Sequence, residues 1–315
     1  MINAVAGRLL AAIPVLFGIA VISFFLIRLV PGDVVDVMMG QDFGDPRVNA
    51  ELRRVFGVDR PLAVQFTEWF GGLLRLDLGN SFRTGRPVTT EIFERFPVTV
   101  ELAVASLLVA LVISIPLGIV SATRRTSAID VVGRVTSLLG LSLPNFWLGI
   151  LLIMVFAVYL GVLPSGGFTA PSEGIGEHLK YLILPAVTLG TALAAILMRM
   201  TRSSLLEVLG QDYVRTARAK GLNERVVVSR HAVRNALIPV VTVLGIQAGR
   251  LLGGTVVVEQ VFSWPGVGSL VVRAIAQRDY PLVQGLTMFL AFFFVLMSLI
   301  VDLLYVYLDP RLRRG

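Results

Sequence analysis

Two groups of residues in this sequence carry chemistry unusual for their surroundings. The first is the run Asp212-Tyr-Val-Arg-Thr-Ala-Arg-Ala-Lys220-Gly221. Asp212 suits a helix N-cap, Lys220 the C-terminal turn and Gly221 the position just beyond it, so the run specifies a short helix with its own start and stop. Val214, Ala217, Ala219 and Gly221 are small or apolar and would admit a second backbone at close range. Arg215, Arg218 and Lys220 supply positive charge for a protein partner or for anionic headgroups. On residue chemistry alone, an interfacial basic helix and a docking helix both remain open. The second group is Arg250 with Gln247, three residues earlier and therefore on a similar helix face, in the middle of an apolar stretch. An arginine at bilayer depth costs about 2.5–3.5 kcal/mol on insertion scales, so it must face a bundle interior or a water-filled cavity. It either holds an anionic group of a transported solute or pairs with a carboxylate or helix carbonyls of its own protein.

Other chemistry is excluded. No cysteine is present, which removes disulfides, thiolate metal sites and cysteine nucleophiles. The two histidines, His178 and His231, share no ligand-like spacing, and neither His-Glu-x-x-His nor a serine-nucleophile turn occurs. No Gly-x-x-x-x-Gly-Lys-Ser/Thr loop exists, and the only lysines are Lys180 and Lys220. A phosphate-cradling loop needs that glycine-rich backbone and lysine, so any ATP must be bound by another chain.

These residues sit in a chain built for lipid. Of 315 residues, 55% are hydrophobic and 16% charged, against roughly 25% charged in a soluble domain; mean hydropathy is +0.80. Crossing a ~30 Å hydrocarbon core takes about 20 apolar residues, and such stretches lie near 9–30, 98–120, 134–160, 180–201, 238–258 and 283–305. The first reads as an uncleaved signal anchor. The net charge of +7 is explained by basic connections beside these spans rather than by nucleic acid. Arg124-Arg125 through Arg134, the stretch from Arg202 to Arg234, and the tail Arg311-Leu-Arg313-Arg314 fall on one side together with Arg8. The segment 31–97 is mixed in charge. Six spans with both termini cytoplasmic satisfy the positive-inside rule.

Two connections exceed ordinary turn length. The outer one, 31–97, carries turn signals and helix-like stretches near 46–56 and 61–75, which predicts a small extracytoplasmic helical segment after the first span. The inner loop 203–237 is basic and helical in pattern. Glu101 and Arg199 lie near span ends, where snorkelling suffices, and Asp302 lies near the inner end of span six. Pro144 lies within span three, as either a gating hinge or a packing device. The segment 259–282, with Trp264-Pro-Gly-Val-Gly268, reads as a short helix at the mouth of a pathway or as an interfacial anchor.

The run Tyr213-Val-Arg-Thr-Ala-Arg-Ala-Lys-Gly221-Leu, followed by Arg230-His-Ala-Val-Arg-Asn-Ala-Leu-Ile-Pro239, resembles the cytoplasmic loop of binding-protein-dependent ABC transporter permeases of the dipeptide, oligopeptide and nickel branch. Aligning Gly221 with the glycine of their EAA motif puts Arg215, Thr216 and Ala217 under its three residues; Ala217 and Gly221 match the general consensus. Gly57-Val-Asp59-Arg-Pro61, Asp77-Leu-Gly79-Asn-Ser81-Phe, Ser142-Leu-Pro144-Asn-Phe-Trp147, Gly253-Gly254 through Gly268, and Asp309-Pro310-Arg311 resemble further segments of the same permeases, in order along the chain.

The resemblance implies an all-α membrane protein of the type I ABC importer permease fold in a bacterial inner membrane. It divides the chain into a first helix with its outer segment (1–97), a permease core (98–308) with coupling loop 203–237, and a cytoplasmic tail (309–315). It implies a second homologous permease, two ATP-binding subunits carrying ATP and Mg²⁺, and an extracytoplasmic solute-binding protein, with no cofactor on this chain. Asp212, Arg215, Thr216, Ala217, Arg218, Lys220 and Gly221 would then couple to an ATPase, and Gln247 and Arg250 would line the pathway. The competing readings are a secondary transporter or channel with its own ion coupling, which paired broken helices or inverted repeats would signal, and a membrane-embedded hydrolase.

Overall fold

The structure is a computed structural model that describes residues 2–29, 31–39 and 46–308. The tail 309–315, Asp42 and Asp45 of the outer segment, and the side chain of Asp302 lie outside the described residues. Fourteen helices run along the described chain: α1 (Ile2–Arg28), α2 (Val34–Met39), α3 (Pro46–Val55), α4 (Leu62–Leu74), α5 (Val88–Thr123), α6 (Ala128–Ser142), α7 (Asn145–Leu152), α8 (Ile175–Leu209), α9 (Asp212–Ala219), α10 (Glu224–Val226), α11 (Arg234–Gly254), α12 (Val256–Val261), α13 (Val267–Ala276) and α14 (Tyr280–Leu308). Wider π-helical turns extend α7 through Ile153–Tyr159 and join α10 to α11 through Val227–Val233.

Five of these stretches are long and apolar enough to span a bilayer singly, those centred on α1, α5, α8, α11 and α14. The sixth span is the pair Ala128–Ser142 and Asn145–Tyr159, bent by 106°. Pro144 is the reason for the bend. It disfavours helical backbone at the preceding residue, and Leu143 takes extended values (φ −84°, ψ 127°) before α7 restarts.

The chain forms two compact units, Met1–Thr99 with Pro265–Leu299, and Val100–Trp264 with Ile300–Gly315. In the first, Ile27, Val88, Ile92, Leu270 and Leu286 belong to one buried cluster. The helices expected near 46–56 and 61–75 are α3 and α4; α2 was not legible. α4 lies along α1 through aromatic contacts, Phe66 with Phe24 and Phe70 with Phe17. The loop after α4 is tied down by Asp279, fully buried at the start of α14. Its carboxylate accepts from Ser81 Oγ (2.5 Å), Phe82 N (3.1 Å) and Leu282 N (3.3 Å).

In the second unit α8 is the centre, packed by α5, α6, α7 and α11. Small residues let it approach α5 closely, as membrane helix pairs require. A Cβ on Gly190 would sit 2.8 Å from Ser106 O, and one on Gly118 would sit 2.7 Å from Thr201 Cβ. Polar contacts hold the same pair at both ends. At one, His178 is 1% exposed; its Nδ1 lies 2.6 Å from Thr169 O and its Nε2 2.5 Å from Glu101 Oε1. A carbonyl can only accept, so Nδ1 carries a proton, and Nε2 shares a second one with the carboxyl. Glu101 is therefore a partner of His178 rather than a snorkelling group. Trp264 is fully buried against Phe168 and the His178 ring, which removes the interfacial-anchor reading for it.

The inner loop expected over 203–237 is mostly helix. Ser203 through Leu209 continue α8 because no breaker precedes Gly210, and a second helical run begins at Glu224 after the Asn223 cap. The short helix expected within 259–282 is α13.

Replacing Gly190 by Val should destabilise the α5–α8 contact by about 1–3 kcal/mol, the usual cost of overpacking. Gly176→Ala, where a Cβ meets nothing within 4 Å, should leave thermal unfolding in detergent unchanged; equal melting of the two variants would refute the close-approach account.

Candidate functional site: a pinned basic helix and an arginine within a span

α9 is built as its sequence specifies, with one shift. Gln211 occupies the cap position and Asp212 is the first helical residue, where its charge still complements the positive helix end. Lys220 is the C-terminal cap residue, and Gly221 adopts φ +75° just beyond it. A side chain at Gly221 would meet no atom within 4 Å, so glycine is required there by backbone handedness, not by space.

The helix turns its apolar positions inward. Val214 and Ala217 are buried with Val227 in one cluster, against Val208 and Leu209. The close-approach surface suggested by these small residues is thus occupied by the chain itself. Arg215, Thr216, Ala219, Lys220 and Gly221 are exposed, as is Leu222.

Both ends of α9 are pinned. Asn235 Nδ2 donates to Tyr213 Oη (2.8 Å), holding the first turn to α11. Arg218 forms a two-pronged pair with Glu224 (3.0 and 2.8 Å) across the Gly221 turn, and its Nη1 reaches Leu209 O (3.5 Å) at the end of α8. The hydrogen bond to Glu224, then its charge, hold the Arg218 guanidinium above its ordinary pKa. Arg218 is therefore a fastener of the helix, whereas Arg215, among the described residues, reaches only Asp212 of its own turn (3.3 Å).

Two turns back along α8 from its junction with α9 lies a cluster that the sequence reading did not single out. Asp130, 1% exposed near the start of α6, accepts Arg202 Nε (2.7 Å) and Nη2 (3.0 Å), Ser121 Oγ (2.5 Å) and Thr126 N (3.1 Å). One carboxylate thereby joins α5, the α5–α6 turn and α8. Ser127-Ala-Ile-Asp130 is a capping signature visible in the sequence, and Ser127 Oγ accepts from Asp130 N (3.3 Å). The arginine partner lies 72 residues away, which no local pattern could give.

Arg250 lies on α11, whose Leu237, Val240, Leu244 and Leu251 pack towards α5 and α8. Ile238, Ile246 and Arg250 are exposed and Thr242 partly so, at spacings of four that form one ridge. Among the described residues Arg250 makes no hydrogen bond or ion pair, so the internal-partner reading finds no support in this chain alone. Gln247 is half-buried beside the ridge. The coupling candidates on α9 and the pair Gln247–Arg250 thus lie on separate elements. Pro144 stands at the break between α6 and α7.

A helical bundle of this connectivity, five single spans and a broken sixth, has the type I ABC importer permease fold. Solved structures that share it include an amino acid ABC transporter (TM-score 0.54, 12% identity, 69% of this chain and 94% of that one) and the MetNI methionine ABC transporter in inward-facing conformations (TM-score 0.56, 18% identity, 70% and 97%). The chain belongs to the family described as "Binding-protein-dependent transport system inner membrane component", which matches residues 114–314; the corresponding N-terminal family, "Binding-prot-dependent transport system membrane comp, N-term", matches residues 1–103.

Similar proteins include the di/tripeptide transport system permease protein DppB of Pseudomonas aeruginosa, 44% identical over 99% of both chains. The oligopeptide transport system permease protein AppB of Bacillus subtilis is 45% identical over 97% of both. The glutathione transport system permease protein GsiC of Salmonella choleraesuis is 42% identical over 99% of both. The chain is therefore a multi-pass inner-membrane permease component of a binding-protein-dependent importer, a transport subunit whose family leaves ATP hydrolysis to separate subunits.

Asp130→Ala should leave Arg202 without its two-pronged partner and cost about 3 kcal/mol, the low end for breaking a buried pair, since Arg202 is 21% exposed. Thermal unfolding of the purified permease checks this; a loss below about 1 kcal/mol, the scale of surface pairs, would show that the cluster does not hold these helices.

Proposed function

We propose that this chain forms half of the translocation pathway of an importer for di- or oligopeptides, paired with a different, homologous permease chain. Two ATPase subunits carrying ATP and Mg²⁺ work beneath it and a solute-binding protein delivers substrate from outside. The observation that carries this reading is similarity of 44–45% along 97–99% of permeases named for di/tripeptide and oligopeptide transport. Both termini and α9 lie on the cytoplasmic side, as the distribution of arginines requires.

In this reading α9 seats in a groove of an ATPase through Arg215, Thr216, Lys220 and Gly221. Asp212 starts the helix, Ala217 anchors it from within, and Arg218 fixes its end. Movement of the ATPase then reaches α8 directly, because Arg218 also holds Leu209 O. Pro144 is the point at which the broken span can change its angle. Gln247 and Arg250 face the pathway completed by the second permease, where the guanidinium holds the carboxylate of a passing peptide; the absence of an ion-pair partner for Arg250 among the described residues supports that role.

Purification of the tagged chain from its native membrane should recover a second permease and ATPase subunits; substrate-driven ion flux by this chain alone would instead indicate a secondary transporter. Gly221→Arg should leave assembly intact and lower uptake per ATP hydrolysed at least tenfold, and normal coupling would count against a docked α9. Arg250→Leu should slow uptake of peptides with a free carboxylate; unchanged uptake of every transported substrate would remove Arg250 from the pathway.

A further inference from the structure

We infer that α4 dips into the outer leaflet of the membrane beside α1, and that the turn at its end, Leu74–Asp77, is a lipid-embedded anchor. The leaflet rests on the topology proposed above; the contact with lipid does not.

Two helices serve as rulers of depth. The apolar, bilayer-spanning stretch of α1 is Leu10–Arg28, and α4 runs back along it. Gln65 Oε1 accepts from Arg28 Nε and Nη2 (3.2 and 3.0 Å), the Phe66 ring packs on Phe24 (5.1 Å between centroids), and Phe70 packs on Phe17 (5.6 Å). Each step towards the C-terminal end of α4 therefore meets a residue of α1 farther from Arg28, and Phe17 lies about 16 Å inward at 1.5 Å per residue. α14 gives a second reading. The Tyr280 ring lies under the Arg28 guanidinium (4.9 Å), and Leu78, just past the turn, has its Cβ 3.5 Å from where a Cβ on Gly285 would sit. Gly285 is about 7.5 Å inward of Tyr280 along the helix. The turn between Phe70 and Leu78 thus lies inward of Arg28 on both scales.

The residue types follow the same gradient. Near the start of α4, Asp59, Arg60 and Glu68 are exposed, the last two paired at 2.8 Å. At its end Leu74 and Leu76 expose 72% and 85% of their surface. Leu76 is held at φ +62°, a left-handed position that in water suits glycine or asparagine.

The turn also satisfies its own backbone, as hydrocarbon requires. Arg75 N and Asp77 N donate to Gly72 O (2.8 and 3.0 Å), Leu76 N to Leu73 O (3.0 Å) and Gly79 N to Asp77 Oδ1 (2.9 Å). The charges of Arg75 and Asp77 limit the depth. Reaching back to the headgroups, they hold the turn at the headgroup–acyl boundary, where interfacial helices bury their apolar face about 5–10 Å deep. A solute-binding protein arriving from the outer solution would meet the charged start of α4 first, so lipid is the occupant this end fits.

The chain contains no cysteine, so single labels need no altered background. In the assembled transporter, reconstituted in vesicles of phosphatidylethanolamine and phosphatidylglycerol, an environment-sensitive fluorophore on Leu76→Cys should emit at shorter wavelength than one on Asp59→Cys. Phospholipids with a nitroxide on the acyl chain should quench it severalfold more strongly, and iodide severalfold less. Leu74→Cys should behave as Leu76→Cys does and keeps the test open if the left-handed position rejects the label. Equal iodide quenching at all three sites, with no effect of the nitroxide lipids, would place the turn in water and overturn the proposal. Protection from iodide that appears only when the solute-binding protein is added would overturn it in favour of a protein-docking turn. A membrane-impermeant maleimide should label Asp59→Cys in intact spheroplasts; labelling only after lysis would overturn the topology and with it the leaflet, while nitroxide quenching at Leu76 would still support the lipid contact.

Discussion

Within hydrocarbon a polar group has no water to fall back on, and the arrangement of α5 and α8 follows from that fact. Each helix carries polar, hydrogen-bonding side chains at two levels. Glu101 and Ser121 stand about 30 Å apart along α5, and His178 and Arg202 about 36 Å apart along α8, at 1.5 Å per residue. These separations bracket the thickness of a bilayer core. At one level Glu101 meets His178; at the other Asp130 gathers Ser121 and Arg202. Between the levels the contact is uncharged and close, permitted by Gly118 and Gly190. The pair is thus tied where charge is affordable and packed where it is not. α6, α7 and α11 assemble on the face of α8 left over.

That framework bears on the coupling role proposed for α9. It follows α8 after a short turn, and α8 is the helix with the most buried span. Val214 and Ala217 seat α9 against the chain, Arg218 locks its end, and Arg215 and Lys220 are left exposed. A displacement imposed on α9 is passed to a helix that is itself fastened to α5 and α6 through Asp130.

Much of this was legible in the sequence because local rules govern it. Apolar run length located every span, and the charge pattern with Gly221 located α9 and its end. What could not be read depends on partners distant in sequence. His178 gave no sign of its carboxylate 77 residues away, and Asp130 looked like part of a basic turn. Val214 and Ala217 were read as a surface for another protein, since composition does not say which face of a short amphipathic helix its own chain will cover. Pro144 was read as a hinge or packing device within one span, not as a 106° break, because a proline restricts the preceding residue without fixing where the next helix points. The aromatic contacts that lay α4 along α1 were hidden for the same reason.

The pinning of α9 also bears on the thermodynamics of assembly. A segment that folds only when its partner arrives spends part of the interaction energy on ordering itself, typically 2–5 kcal/mol. Here Tyr213–Asn235 and Arg218–Glu224 have fixed the helix beforehand, so that cost is already met within the permease. In the proposed docking, contact area on α9 would then convert into affinity with little conformational loss, although the helix has only eight residues.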